Sequence, residues 1–355
     1  MRNTAIVYTQ RFLSHNPGYF HPESPLRLYS IMKGIEELGV LKRKNCLLLD
    51  SEPASIETLE SVHSLRYINY VRQISEAGGG TIDEETETVL SRESFDVARL
   101  AAGGVLRAIN KVMSQDFQNS FVLSRPPGHH AGSNYGLGFC IFNNVAIGAK
   151  YLLDDFGLRK ILILDIDSHH GNGTQQIFYK TKKVLYISLH EDPTNFPQTG
   201  FYNETGHGEG LGYTVNVPFP YGTGDSVYWG AIKTIVAPIV NQFEPQFILM
   251  SAGFDGHYRD NIGELSLSSQ IYSFIFRTVI DWANNICEGR FVAVLEGGYC
   301  QKVLRKIVPS IISEMASHKT NLHDKPPILD LETQKRAEKI LKMVKRIQSK
   351  FWKFS

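Results

Sequence analysis

Short apolar runs alternate with longer segments of helical spacing along most of the chain. AIVYT at 5–9 predicts a first strand. Between 24 and 40, Leu26, Leu28, Ile31, Ile35 and Leu38 recur at the spacing of one helix face. SFDVARLAAGGVLRAINKVM at 94–113 predicts a helix that leads into a strand, FVLS. A second helix is expected over 143–157, closed by Gly157 and followed by the strand KILIL. VLYISLH at 184–190 reads as a strand, and 192–225 as long loops around one more, GYTVNVP. A single helix is expected over DSVYWGAIKTIVAPIVNQF, then the strand in QFILMSAG, a helix over SSQIYSFIFRTVIDWANNI and a last strand, FVAVL. The polar, glycine-rich 76–87 reads as an exposed loop. This alternation predicts an α/β fold, a mostly parallel central sheet with helices on both faces. No repeat and no linker divides it.

The tail from 331 differs. Ile340, Val344, Ile347 and Phe351 form an apolar stripe among many lysines. It is expected to be a basic amphipathic helix laid on the body, with a surface or partner helix as the alternative. The division expected is a catalytic domain over 1–315 and a C-terminal extension over 316–355.

Composition narrows the field mainly by exclusion. A net charge of +1 across 355 residues points to neither nucleic acid nor a membrane surface. No apolar run approaches the ~20 residues that span a bilayer, and the first residues lack the apolar core of a secretory signal. Cys46, Cys140, Cys287 and Cys300 show no paired spacing, which fits free thiols in a reducing, cytoplasmic setting.

The chemistry sits just after the strands. RPPGHH (125–130), DIDSHHGNG (165–173), SAGFDGH (251–257) and LEGGY (295–299) each follow an apolar run. Loops leaving the carboxyl ends of parallel strands converge on one crevice. Asp165, Asp167 and His169 alternate, so on extended backbone they share a face. Asp167, His169 and Asp255 are suitable ligands for one zinc-like ion with an open coordination position. Amide hydrolysis also needs proton transfer, for which His129 and His130 are the candidates. Asp165 and Asn172 are available to orient their rings. Tyr299 offers an O–H to a developing oxyanion, and Gly297 and Gly298 let the backbone come close. Together these describe a metal-dependent hydrolase.

The same runs, with HPESPLRL at 21–28, SLHEDP and NVPFPYGTGD, resemble the histone deacetylase family of the arginase–deacetylase superfamily, in its class II-like branch. The resemblance covers roughly 15–305 and implies that single-domain fold. It implies hydrolysis of N6-acetyl-lysine in histones or other proteins, with Asp167, His169 and Asp255 on Zn²⁺. His130 matches the general base and acid, His129 its neighbour paired to Asp165, and Tyr299 the residue that polarises the acetyl carbonyl. Gly138 and Phe139 match a substrate-amide contact and one wall of the acyl-lysine tunnel. Phe196, in NFP, matches the other wall, and Gly297 belongs with the substrate contacts. A structural K⁺ is implied around Asp165, Asp167, His169, Ser188 and Leu189, and a second around Phe178, Thr181, Val184 and Tyr213. The implied partner is an acetylated lysine of a protein or peptide.

Departures from the family pattern carry information. Asn172 stands where class I enzymes have aspartate, as in class II, and leaves His130 more readily neutral. Ser168 replaces an aliphatic residue, with little effect expected. HYRDNIGE replaces HRDDPLGG and puts Ile262 at the gatekeeper position, where polyamine deacetylases have glutamate. Glu87 is the nearest candidate for the acid that binds substrate backbone, and Arg27 for the acetate exit channel. The rival readings are an acetylpolyamine or other small-amine amidohydrolase, an arginase-like binuclear manganese enzyme and a non-enzymatic binding module.

Overall fold

A computed structural model describes residues 2–84, 87–328 and 330–354. In chain order its strands are β1 (Thr4–Val7), β2 (Cys46–Leu49), β3 (Gly79–Thr81), β4 (Val89–Ser91), β5 (Asn119–Val122), β6 (Ile161–Asp165), β7 (Val184–Glu191), β8 (Thr214–Phe219), β9 (Phe247–Ala252) and β10 (Phe291–Leu295). Eight of them form a parallel sheet in the order β2-β1-β5-β10-β9-β6-β7-β8. Helices α1 (Leu26–Glu37), α2 (Ile56–Glu60), α3 (Leu65–Glu76), α4 (Ser94–Met113), α5 (Asn144–Asp154), α6 (Asn172–Phe178), α7 (Asp225–Ala231), α8 (Ala237–Phe243), α9 (Ser269–Ile286), α10 (Gln301–Met315) and α11 (Leu331–Gln348) surround it.

The period-2 alternation of the strands decides which face each residue covers. Ile161 and Ile163 of β6 pack with Val105 and Ile109 of α4 and Val145 of α5. Leu162 and Leu164 point the other way, into a core with Ile31, Ile271 and Ile307 of α1, α9 and α10. Both faces are therefore covered, and the central strands are apolar throughout, as a buried parallel sheet requires.

Several expectations need correction. The 76–87 stretch is not wholly loop: β3 pairs antiparallel with β4, Gly80 opposite Leu90, while 85 and 86 lie outside the described residues. The helix expected over 225–243 is interrupted by a wider, π-type turn at Ile232–Val236. Pro238 supplies the reason, since it has no N–H to donate and its ring crowds the carbonyl four residues back. The helix expected over 143–157 ends at Asp154, and Gly157 has φ +66° in the link to β6. Helix α10 was unread because Pro309 lies inside it.

The tail forms α11, capped by Asp330, whose carboxylate accepts from Thr333 N–H at 2.9 Å. Ala337 and Val344 are buried and Ile340 packs against the core. Gln348 Nε2 donates to Thr214 O at 3.1 Å, on the outer strand β8. The indole N–H of Trp352 donates to Gly212 O at 2.9 Å. Among the described residues no helix is long and apolar enough to cross a membrane.

Candidate active site

Strands β5, β10, β9 and β6 are immediate neighbours at the middle of the sheet. The four sequence runs that carry chemistry leave these four strands, all at their carboxyl ends. The register holds them level: Asp165 is beside Ser251, and Leu295 beside Ala252. Residues 170 positions apart in sequence thus open onto one crevice.

Asp167, His169 and Asp255 come together there, with one ligand atom of each within 4.8 Å of the others. His169 Nδ1 lies 3.4 Å from Asp167 Oδ1 and 3.3 Å from Asp255 Oδ2. The remaining carboxylate oxygens are occupied. Asp167 Oδ2 accepts from Gly297 N–H at 2.8 Å, and Asp255 Oδ1 from Ser168 N–H at 2.9 Å. Asp255 Oδ2 is buried and has no hydrogen-bond partner. A buried, unpaired carboxylate oxygen is costly unless something cationic compensates it. Burial, and then the nearby Asp167 charge, push the Asp255 carboxyl up to about 7. Gly297 is required here: a Cβ would fall 2.2 Å from Asp255 Oδ2. Two carboxylates, an imidazole and one orphaned oxygen fit a divalent metal such as zinc.

The two histidines are held in different states. Their rings lie 4.0 Å apart. His129 Nδ1–H donates to Asp165 Oδ2 at 3.1 Å, and the Tyr186 hydroxyl donates to the same oxygen at 2.9 Å. Burial lowers the His129 pKa, but the Asp167 and Asp165 charges outweigh it and raise the ring to about 10. A divalent cation on Asp167 would draw that value down. His130 Nδ1–H donates to Asn172 Oδ1 at 2.8 Å, and Asn172 Nδ2 donates to the Tyr135 hydroxyl at 3.2 Å. Burial, then His129 and His169, hold His130 well below the usual imidazole value. Its ring is neutral, and with Nδ1 carrying the proton, Nε2 is left as the acceptor.

Tyr299 follows β10. Its backbone N–H and that of Cys300 both donate to Asp260 Oδ2 at 2.7 Å, which fixes the loop. The ring packs edge-on to Phe139 at 5.8 Å, and the Arg27 guanidinium lies 5.0 Å from its centre. Burial raises the phenol well above 10, so it remains an O–H donor. Phe196 stands edge-on to His130 at 5.0 Å and to His169 at 5.8 Å. Gly138 has φ +53°, and a Cβ there would meet His130 Cδ2 at 2.5 Å. Ile262 is half-buried, its N–H on Asp260 Oδ1 at 3.2 Å.

Other residues named from the sequence lie around this centre. The Ser188 hydroxyl bonds His190 Nδ1 at 2.7 Å, and Leu189 O accepts from the Tyr228 hydroxyl at 3.3 Å. Phe178, Thr181, Val184 and Tyr213 gather around the start of β7, at the opposite end of the sheet. Thr181 N–H donates to Phe178 O at 3.2 Å, and Tyr213 O accepts from Tyr186 N–H at 2.9 Å. Glu87 O faces His21 Nε2 at 2.9 Å.

Of the supporting shell, the sequence reading singled out only Arg27. Glu23 is fully buried between Arg125, 2.6 Å away, and Arg27, 3.1 Å away. Arg27 Nε in turn donates to Gly298 O at 2.6 Å and ties the early segment to the Tyr299 loop. Glu296 accepts from Gly128 N–H at 2.7 Å and from Ser251 Oγ at 3.0 Å, and burial pushes its carboxyl up to about 7. Both acids lie inside quoted motifs, HPESP and LEGGY, but nothing in the spacing marks their partners.

His63 braces the histidine loop from below. Its Nδ1–H donates to Gly132 O and its Nε2 accepts from Asn143 N–H, both at 2.9 Å. Both bonds need the neutral ring, and burial lowers its pKa to about 4. The unfolded value is about 6.5, so this contribution to stability is complete above that pH. It is lost as pH falls toward 4, by about 3 kcal/mol. The stability advantage of wild type over His63→Gln in urea unfolding should shrink by that amount between pH 7 and pH 4. A constant advantage would disprove the linkage.

The fold and the proteins it is similar to mark the chain as a hydrolytic deacetylase. The histone deacetylase domain model matches residues 21–315, and the chain belongs to the histone deacetylase family. It is 41% identical over 359 residues to a protein of Archaeoglobus fulgidus described as a probable deacetylase, with 99% of each covered. It is 38% identical over 294 residues to histone deacetylase 6 of Caenorhabditis elegans, covering 79% of this chain and 30% of that one. It therefore spans nearly all of the archaeal relative and under a third of the nematode one. The crystal structure of the HDA15 HD domain superposes with a TM-score of 0.87 at 32% identity, over 99% of this chain and 97% of that chain.

Proposed function

We propose that this chain is a zinc-dependent lysine deacetylase, cleaving the acetyl amide of N6-acetyl-lysine in a protein or peptide. The observation that carries the reading is the unpaired Asp255 Oδ2, set with Asp167 and His169 beside a neutral His130. A zinc ion held by Asp167, His169 and Asp255 would polarise the acetyl oxygen and acidify water. His130 Nε2 takes the proton of the attacking water and returns it to the departing lysine nitrogen. Asn172 holds the opposite nitrogen of that ring and fixes its tautomer. His129, held by Asp165, packs beside that ring. The Tyr299 O–H donates to the carbonyl oxygen as negative charge develops. Phe139 and Phe196 supply flat apolar walls for the four-carbon lysine stem. The four free thiols fit a cytoplasmic setting.

A peptide substrate is favoured over a polyamine because Ile262, at the gatekeeper position, is aliphatic. The test is kcat/KM for an acetyl-lysine peptide and for acetylspermidine. Wild type should prefer the peptide. Ile262→Glu should move the preference toward the polyamine by about tenfold, the equivalent of ~1.4 kcal/mol. A wild type that already prefers acetylspermidine overturns the substrate assignment.

A further inference from the structure

Glu191 is the last residue of β7 and is 6% exposed. A carboxylate this deep needs donors around it. Glu191 Oε2 accepts from the Ser168 hydroxyl at 2.5 Å and from Glu264 N–H at 2.6 Å. Its own N–H donates to Ser168 O at 2.8 Å, so the two residues clasp each other twice. Its second oxygen, Oε1, lies 3.7 Å from His169 Nε2. The other nitrogen of that ring, Nδ1, faces Asp167 and Asp255. A neutral imidazole that ligates through Nδ1 carries its proton on Nε2. The nitrogen that carries it is the one nearest the Glu191 carboxylate, at ion-pair rather than hydrogen-bond distance.

We infer that Glu191, anchored by Ser168, is a positioning residue that orients His169 and strengthens it as a metal ligand. The inference rests on the metal centre proposed above. Carboxylates behind ligating imidazoles set the ring's orientation and raise its donor strength. Ser168 was expected to matter little as a replacement for an aliphatic residue. An aliphatic side chain could not donate to Glu191, so the serine and the acid work as a pair. Neither touches the reacting atoms; both act through His169.

The test is zinc affinity of the full chain, measured by chelator competition, for wild type, Glu191→Gln and Asp255→Ala. Glutamine keeps the volume and can still accept from Ser168 and Glu264, but removes the charge facing His169. Glu191→Gln should bind zinc 10–100-fold more weakly. Metal-free melting should be unchanged, and the visible ligand-field bands of the cobalt-loaded protein should shift. Zinc affinity within threefold of wild type overturns the inference, provided Asp255→Ala has lost zinc. If Asp255→Ala also keeps zinc, the metal centre itself is wrong and the inference falls with it. Should Glu191→Gln fail to fold, Ser168→Val decides: weaker zinc binding with normal melting supports the role, and unchanged binding overturns it.

Discussion

Asp255→Ala should empty the metal centre and abolish deacetylation while leaving the sheet folded. The side chain supplies a buried oxygen with no hydrogen-bond partner, and its loss leaves two of the three proposed ligands. Metal catalysis accounts for several kcal/mol of transition-state stabilisation, and its loss should lower kcat/KM roughly 10³-fold or more. The effect on the metal-free fold should be small, for two opposing reasons. Ser168 N–H loses its acceptor, which destabilises. The burial of the Asp255 carboxyl and its crowding against Asp167, which together raise it to about 7, are relieved, which stabilises. The zinc-dependent rise in melting temperature should vanish, because binding to the folded state alone produces it. Metal content by elemental analysis and melting with and without zinc check this together. Full zinc stoichiometry with retained activity would remove Asp255 from the ligand set.

Tyr299→Phe should separate chemistry from architecture. Only one oxygen is deleted. The ring keeps its edge contact with Phe139 and its place beside Arg27. The backbone bond from Tyr299 N–H to Asp260 is untouched. Loss of one preorganised oxyanion donor typically lowers kcat by ~10²–10³. KM, zinc content and melting temperature should change little, since the donor acts only as charge develops on the oxygen. Steady-state kinetics on a zinc-loaded variant check it. A kcat within a few-fold of wild type would make the tyrosine a structural residue.

The legible part of this molecule was the part that ends strands. Asp167, His169, Asp255, His130 and Tyr299 announce themselves because each follows an apolar run in a run of unusual composition. Helix α4 was readable to its last residue, since its apolar periodicity is unbroken over Ser94–Met113. The illegible part consists of residues that are ordinary until topology gives them neighbours. Glu191 and Ser168 are 23 positions apart and meet only because β6 and β7 are adjacent. Asp260 reaches across 39 positions to hold Tyr299. Other elements were lost as well: α10 carries an internal proline, and β2 is a run of only four residues, Cys46–Leu49, with Leu47 and Leu48 turned to solvent at the sheet edge.

The strand order has a consequence for how such a chain comes into being. β9 and β10 are made last, yet they occupy the gap between β5 and β6. A nascent chain that has reached β8 holds two half-sheets, each with a raw inner edge and no centre. Its histidines and first ligands are already made, but Asp255 and Tyr299 are not. The candidate site is therefore complete only once the final third of the polypeptide has taken its place between the two half-sheets. Until then the exposed strand edges invite mispairing.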